Sequence, residues 1–210
     1  MSDATSGTAP IAVIVLAAGR STRMGEHKLL LTLNGQPLIG YALTTAVRSD
    51  ASDVIVVLGH DADAMRKAIT EGPWRLVVCA EYAVGMSASL RAGVEAVAGD
   101  AIGVVILLAD QPLVSQAHLR AILSRAAVAP DRIIATGAGS HPGTPVYFPR
   151  ALFGELLNVT GDEGGRSVIA RHRDLLELVE PEDERELLDV DDAESFRHVR
   201  TYLERATDRL

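Results

Sequence analysis

The sequence predicts an α/β protein: a three-layer, doubly wound and mostly parallel sheet with helices on both faces. Two observations carry this expectation. Short β-branched runs alternate with longer segments of helical periodicity, and the runs are apolar at nearly every position, as strands buried on both faces must be. A third observation bounds the size. The 210 residues show no low-complexity tract, internal repeat or Pro/Gly-rich linker, so one domain over 11–210 is expected after a flexible tail of residues 1–10.

Taken in order, the predicted strands are "IAVIVLA" (11–17), "DVIVVLG" (53–59), "RLVVCA" (75–80), "GVVILLA" (103–109) and "RIIAT" (132–136). Helical spacing of apolar residues falls between them at 37–48, 62–71, 87–97 and 115–126. Pro37 suits a first helical turn, and Ser115 suits an N-cap. These elements form a first half, 11–136. A second half, 137–210, opens on the turn-rich "GAGSHPGTPVYFP" before a short strand. It continues with a helix over 149–157, a glycine-rich loop "GDEGGR" (161–166), a strand "LLELVE" (175–180) and an amphipathic helix over 192–205. This half is expected to complete the sheet and wall one side of the site.

Charge and composition exclude several functions. A net charge of −8 argues against nucleic acid and anionic membrane surfaces, which are held mainly by clustered Lys and Arg. Residues 1–10 lack the basic start and apolar core of a signal peptide, and no apolar stretch is long enough to span a membrane. The single cysteine, Cys79, cannot form an internal disulfide and is expected buried at a strand end, which suits a reducing cytoplasm. The six histidines show no paired metal-ligand spacing, and no GxSxG elbow occurs, so hydrolase and transition-metal chemistry find no footing.

In open parallel sheets, ligands bind beyond the carboxyl ends of the strands. Two such ends carry chemistry. The first is "VLAAGRSTRMGEHK" (15–28), where small residues permit close backbone approach and Arg20, Arg23 and Lys28 supply positive charge, a seat for phosphates. It is not a P-loop, because Glu26 and His27 follow Gly25, and it is not a GxGxxG dinucleotide turn. The second is "LLADQP" (107–112), which delivers Asp110 to the same edge as a hard oxygen ligand for Mg²⁺. Asp189 and Asp191 in "DVDDAES" alternate on one face and offer a second ligand, whereas Asp192 reads as a helix cap.

Joined together, these segments resemble the MobA-like nucleotidyltransferases of GT-A-like fold, whose signature LAxGxSxRMGxxK is matched across Leu16–Lys28. Within that superfamily the chain is most similar to the molybdenum cofactor cytidylyltransferases, through "KLLLTLNGQPLI", "GMSASLRAGV", "LLADQP" and "TGDEGGRSVI". The resemblance implies that Leu16, Ala17, Ala18 and Gly19 contact base and ribose, with Met86, Ser87 and Ser89 on the other edge of the base. Arg23 and Lys28 would take the triphosphate and, with Asp110, form the catalytic set. Asp110 and Asp191 would hold Mg²⁺, or Mn²⁺ in its place. Gln111, Gly161, Asp162, Gly165 and Arg166 would face the pterin. The implied reaction transfers CMP from CTP to a molybdopterin-type phosphate, followed by transient contact with a recipient molybdoenzyme or its chaperone. "LAAG", where guanylyl-transferring relatives read LAGG, favours cytidine. The usual Gly-His-Pro before the sixth strand reads Gly-Thr-Pro here, with Thr144 in the histidine position. A guanylyl or other nucleotidyltransferase, and an NAD(P)H-dependent oxidoreductase on a similar sheet, stand as alternatives.

Overall fold

The computed structural model describes residues 10–20, 27–69, 71–138 and 141–207. The chain opens with β1 (Ile11–Ala17), then turns back through a small hairpin of β2 (Thr32–Leu33) and β3 (Gln36–Pro37) into α1 (Leu38–Val47). The hairpin is absent from the sequence expectation. Its signal is Asn34-Gly35, whose φ of 47° and 80° give the two left-handed residues that a tight hairpin turn requires. Pro37 accordingly closes the hairpin with an extended ψ of 147° and precedes α1 instead of lying in its first turn.

Next come β4 (Asp53–Leu58), α2 (Ala62–Ala68), β5 (Arg75–Val78), α3 (Met86–Glu95), β6 (Gly103–Leu108) and α4 (Gln116–Val128). Ser115 caps α4 as expected, its hydroxyl accepting from His118 N at 3.0 Å. The second half contains β7 (Ile133–Ala138), β8 (His141–Pro149), α5 (Phe153–Leu157), α6 (Arg166–Arg171), β9 (Leu176–Val179) and α7 (Ala193–Thr207). Strand β8 is longer than expected, and α6 directly after the GDEGGR loop was not foreseen.

Among the described residues, seven strands form one sheet in the order β5-β4-β1-β6-β8-β7-β9. Every neighbouring pair is parallel except the two that involve β8, which runs against both β6 and β7. The mostly parallel sheet follows from β1, whose side chains alternate between two cores. Val13, Val15 and Ala17 pack with α1 and α4 residues such as Leu43 and Leu119, while Ala12 and Ile14 pack with Leu90 and Val94 of α3. Ile14 sits in register between Ile55 and Ile106, fully buried. Each such side chain contributes roughly 1.5–3 kcal/mol by leaving water. Gly93 lets α3 sit close, since a Cβ there would come within 2.8 Å of Ile14 Cγ2. Cys79, just past β5, is buried, its N–H bonded to Leu58 O at 2.8 Å. Among the described residues, no helix is long and apolar enough to cross a membrane.

Candidate active site

Parallel pairing brings the carboxyl ends of β1, β4 and β6 to one edge. Ala109 N extends the ladder to Leu16 O at 3.1 Å, so the next residue, Asp110, emerges beside the end of β1. From the far end of the chain, Val190 N donates to Asp110 O at 2.8 Å and lays the Asp189–Asp191 segment across that edge. Lys28, at the start of a single 3-10 turn, completes the group. Its Nζ donates to Asp110 Oδ2 at 2.8 Å and to Asp191 Oδ1 at 2.9 Å. The lysine side chain is only 12% exposed. Burial alone would lower its affinity for the proton, but the two carboxylates outweigh burial and hold the ammonium above its ordinary pKa. Asp192 caps α7, as expected, accepting from Glu194 N and Ser195 N at 3.0 and 2.8 Å.

Asp189 retains solvent access as a residue, yet its carboxyl stands in the wall of the cleft. Desolvation there, with the charges of Asp110 and then Asp191, pushes it up to about 6, against a hydrogen bond from Gln111 and the charge of Lys28. Gln111 is oriented from behind: Thr144 Oγ1 donates to its carbonyl at 2.7 Å, which leaves the amide N–H to donate to Asp189.

Beside this cluster lies a cleft of about 340 Å³. Its floor is apolar, built by Leu16, Leu90, Ile106, Leu108, Val146 and Phe148, and its rim carries Gln111, His141, Asp162, Glu163, Arg166 and Asp189. "GMSASL", read from sequence as a loop, is the first turn and a half of α3 with Gly85 at its N-cap, and it meets the "GDEGGR" loop over the cleft. Met86 N donates to Asp162 Oδ1 at 3.2 Å, and Ser87 N donates to Gly161 O at 3.1 Å. Gly85 makes the junction, with φ of 132° and room for no side chain: a Cβ there would lie 2.6 Å from Asp162 Oδ1.

The sequence matches the MobA-like NTP transferase domain over residues 13–175. The chain belongs to that family. It is 34% identical over 196 residues to the purine catabolism protein PucB of Bacillus subtilis, covering 89% of this chain and 94% of PucB. Among solved structures, Rv0371c from Mycobacterium tuberculosis superposes with a TM-score of 0.82 at 31% identity, covering 93% of this chain and 100% of that one. A manganese complex of Rv0371c matches with a TM-score of 0.75, covering 90% and 97%. A nucleotidyl transferase from Methanothermobacter, Mth528, gives 0.83 at 26% identity, covering 94% and 99%. The fold is therefore that of the α/β nucleotidyltransferases. Nucleotidyl transfer is the chemistry that the MobA-like family supports, and a divalent metal is in keeping with it.

Within this MobA-like site, the residues singled out from sequence separate into three groups. Leu16, Met86, Gln111, Asp162, Gly165 and Arg166 line the cleft, with Gly161 at its loop junction. Lys28, Asp110 and Asp191 form the charged cluster. Ala17, Ala18, Ser87 and Ser89 are buried behind these surfaces, while Gly19 is exposed. Ala18 is buried and its methyl faces Gly59, where a built Cβ would lie 2.7 Å away. Arg23 lies outside the described residues.

The second half walls one side of the cleft as expected, but the wall starts in the segment read as turn-rich: "HPGTP" is the first half of β8, and His141, Pro142, Gly143 and Thr144 line the cleft. Sequence reasoning missed an aromatic cluster on the β4 side. The rings of His27 and His60 stack at 5.7 Å, His27 Nε2 donates to His60 O at 3.1 Å, and the Arg20 guanidinium lies 5.4 Å from the Tyr82 ring centre. Arg20 and His27 belong to the opening loop, but no local motif links them to His60 and Tyr82, which two further segments supply.

Proposed function

We propose that this MobA-like protein transfers CMP from CTP to the terminal phosphate of molybdopterin, releasing pyrophosphate. The observation that carries this reading is the pairing of Asp110 and Asp191 around one cation, the Lys28 ammonium, beside an apolar cleft with a polar rim. Two hard carboxylate oxygens already bracketing a positive charge suit a Mg²⁺ or Mn²⁺ ion, which Asp110 and Asp191 would hold. Among the described residues, no group of three or more His, Cys, Asp or Glu comes together as a metal cage. A two-carboxylate site of that kind fits Mg²⁺, which commonly binds through one or two carboxylates plus substrate phosphates. When bound, the ion would supply charge neutralisation at the phosphates.

The chain's own part is alignment. A phosphate oxygen of the acceptor attacks the α-phosphorus of CTP, the bond from that phosphorus to the β-phosphate bridging oxygen breaks, and pyrophosphate departs with the bonding electrons. The acceptor phosphate is already ionised at neutral pH, so no protein base is needed. Lys28 and Arg23 are assigned to the triphosphate, where their charge favours the leaving group. The apolar floor from Leu16 to Phe148 suits the face of a flat heterocycle, and Gln111, Asp162 and Arg166 suit its polar edge. Ala17, Ala18 and Gly19 would bound the base through their main chain, with Met86, Ser87 and Ser89 opposite. Because the Ala18 methyl packs on Gly59, any preference for cytosine would act through the position of that main chain.

The test is a nucleotide panel: CTP, GTP, ATP and UTP, each with Mg²⁺ and molybdopterin, following pyrophosphate release and the mass of the product. Release with CTP alone and a product heavier by one cytidylyl group, CMP less a water, is the expected result. Release with GTP in preference to CTP would overturn the base assignment, and release only with a different phosphorylated acceptor would overturn the acceptor.

A further inference from the structure

Lys28 occupies a position that the proposed reaction assigns to something else. Its ammonium lies between Asp110 Oδ2 and Asp191 Oδ1 at 2.8 and 2.9 Å, and its side chain is 12% exposed. A divalent cation held by the same two carboxylates would sit beside that ammonium, and two positive centres so close repel each other. Mg²⁺ binds oxygen at about 2.0–2.1 Å and keeps several waters around it, so an ammonium already hydrogen-bonded to one oxygen of each carboxylate competes with it directly.

We propose that Lys28 is a resident counter-ion that holds the cation site closed until a nucleoside triphosphate draws its ammonium away. The inference rests on the reading that Asp110 and Asp191 hold the metal and Lys28 takes phosphate. The chemistry of lysine suits the role. Its charge is a compact point on a flexible four-carbon stem with three donors, so it can exchange one set of anionic oxygens for another without a change of backbone. In the free protein the single ammonium offsets half the charge of the two carboxylates and bridges them. When a triphosphate arrives, a denser anion competes for it, and the released carboxylates meet a cation that also binds the phosphates.

Metal and nucleotide are then coupled for two separate reasons. The phosphates complete a coordination shell that two carboxylates leave open, and they remove the competing ammonium. The coupling is reciprocal, so the cation tightens the nucleotide by the same factor as the nucleotide tightens the cation. A consequence is that the free protein does not hold a loaded metal that could polarise stray phosphates in the cleft.

The decisive measurement needs no nucleotide and no turnover. Mn²⁺ is titrated into the nucleotide-free protein, and unbound ion is read by electron paramagnetic resonance, for wild type, Lys28→Met, Lys28→Gln and Lys28→Met combined with Asp110→Asn. Wild type is expected to bind weakly. Either lysine variant is expected to bind at least tenfold more tightly, with the gain lost in the double variant. The glutamine variant, neutral but still a donor, covers the case in which the methionine variant fails to fold. If folded lysine variants bind Mn²⁺ no better than wild type, while wild type with CTP binds it in an Asp110-dependent way, the counter-ion role is wrong and the metal assignment stands. If no form binds Mn²⁺ through Asp110, with or without CTP, the metal assignment falls and the inference falls with it.

Discussion

The two sides of the sheet are built on different principles. From β5 to β6 every strand pair is parallel, the strand residues are almost wholly apolar, and closeness is achieved by small residues such as Gly59 and Gly93. From β8 to β9 the order is mixed, a strand runs backwards, and polar groups enter the interior: His118 Nε2 meets Thr136 Oγ1 at 2.8 Å, and that hydroxyl in turn donates to Pro145 O at 2.8 Å. The first side offers main chain and little choice of side chain, which suits a part that all nucleoside triphosphates share. The second offers side chains on an irregular wall, which suits a part that must differ between acceptors. Asp110 stands on the seam, at the end of β6, the one strand that pairs with both sides.

Breaking the seam is expected to have the largest effect. Asp110→Asn keeps the shape but removes a charge from the proposed cation site, and on that reading should lower turnover at least about a hundredfold, since a bound cation is worth several kcal/mol to a phosphoryl transition state. Circular dichroism and pyrophosphate release, measured together, separate lost chemistry from a lost fold. Near-normal turnover would show that the seam is not where the reaction happens.

Gly85→Ala tests whether the sides must stay in contact above the cleft. At φ of 132° an alanine is strained, and its methyl would meet Asp162 and Gly161 at the junction of α3 with the "GDEGGR" loop. Backbone strain of this kind costs of order 1–3 kcal/mol. A lowered melting temperature with a raised KM for the acceptor is the expected pair of results. An unchanged KM would mean the two segments act independently.

The smallest effect concerns the polar interior of the mixed side. Burial lowers the pKa of His118 from 6.5, partly opposed by the nearby charge of Glu186. The native state therefore takes up its proton later than the unfolded chain does, and stability is lost as the pH falls below 6.5 toward the lowered value. Urea midpoints taken from pH 8 to pH 5 should decline in wild type and decline less in His118→Gln. Parallel slopes for both proteins would remove His118 as the cause.

How much could be read in advance follows the same division. The parallel half was legible because a strand buried on both faces leaves a continuous apolar run, and Ile11–Ala17 can be little else. The junctions were legible where one residue carries a local rule, as Ser115 and Asp192 do at their helix ends. Strand β8 was harder to read, because turn residues such as Pro142 and Gly143 belong here to a stretch that pairs with β7 alone, before Val146 and Tyr147, which pair on both sides. The small hairpin is legible in Asn34-Gly35, a pair suited to two consecutive left-handed residues. In the site, Asp110 and Lys28 could be singled out from their motifs, but their direct contact could not. Neither could the placement of Thr144 behind Gln111, or the gathering of His27, His60 and Tyr82, since these depend on segments far apart in the chain.

The main-chain bond from Val190 to Asp110 has a bearing on biosynthesis. Lys28 and Asp191 are separated by 163 positions, so a ribosome delivers the lysine and the first carboxylate well before their last partner. Until that later segment docks on the end of β6, Lys28 and Asp110 lack their third partner. A chain ending before Val190 would keep the opening loop but lack Asp191, and on the proposed reading it would lack the second ligand of its cation.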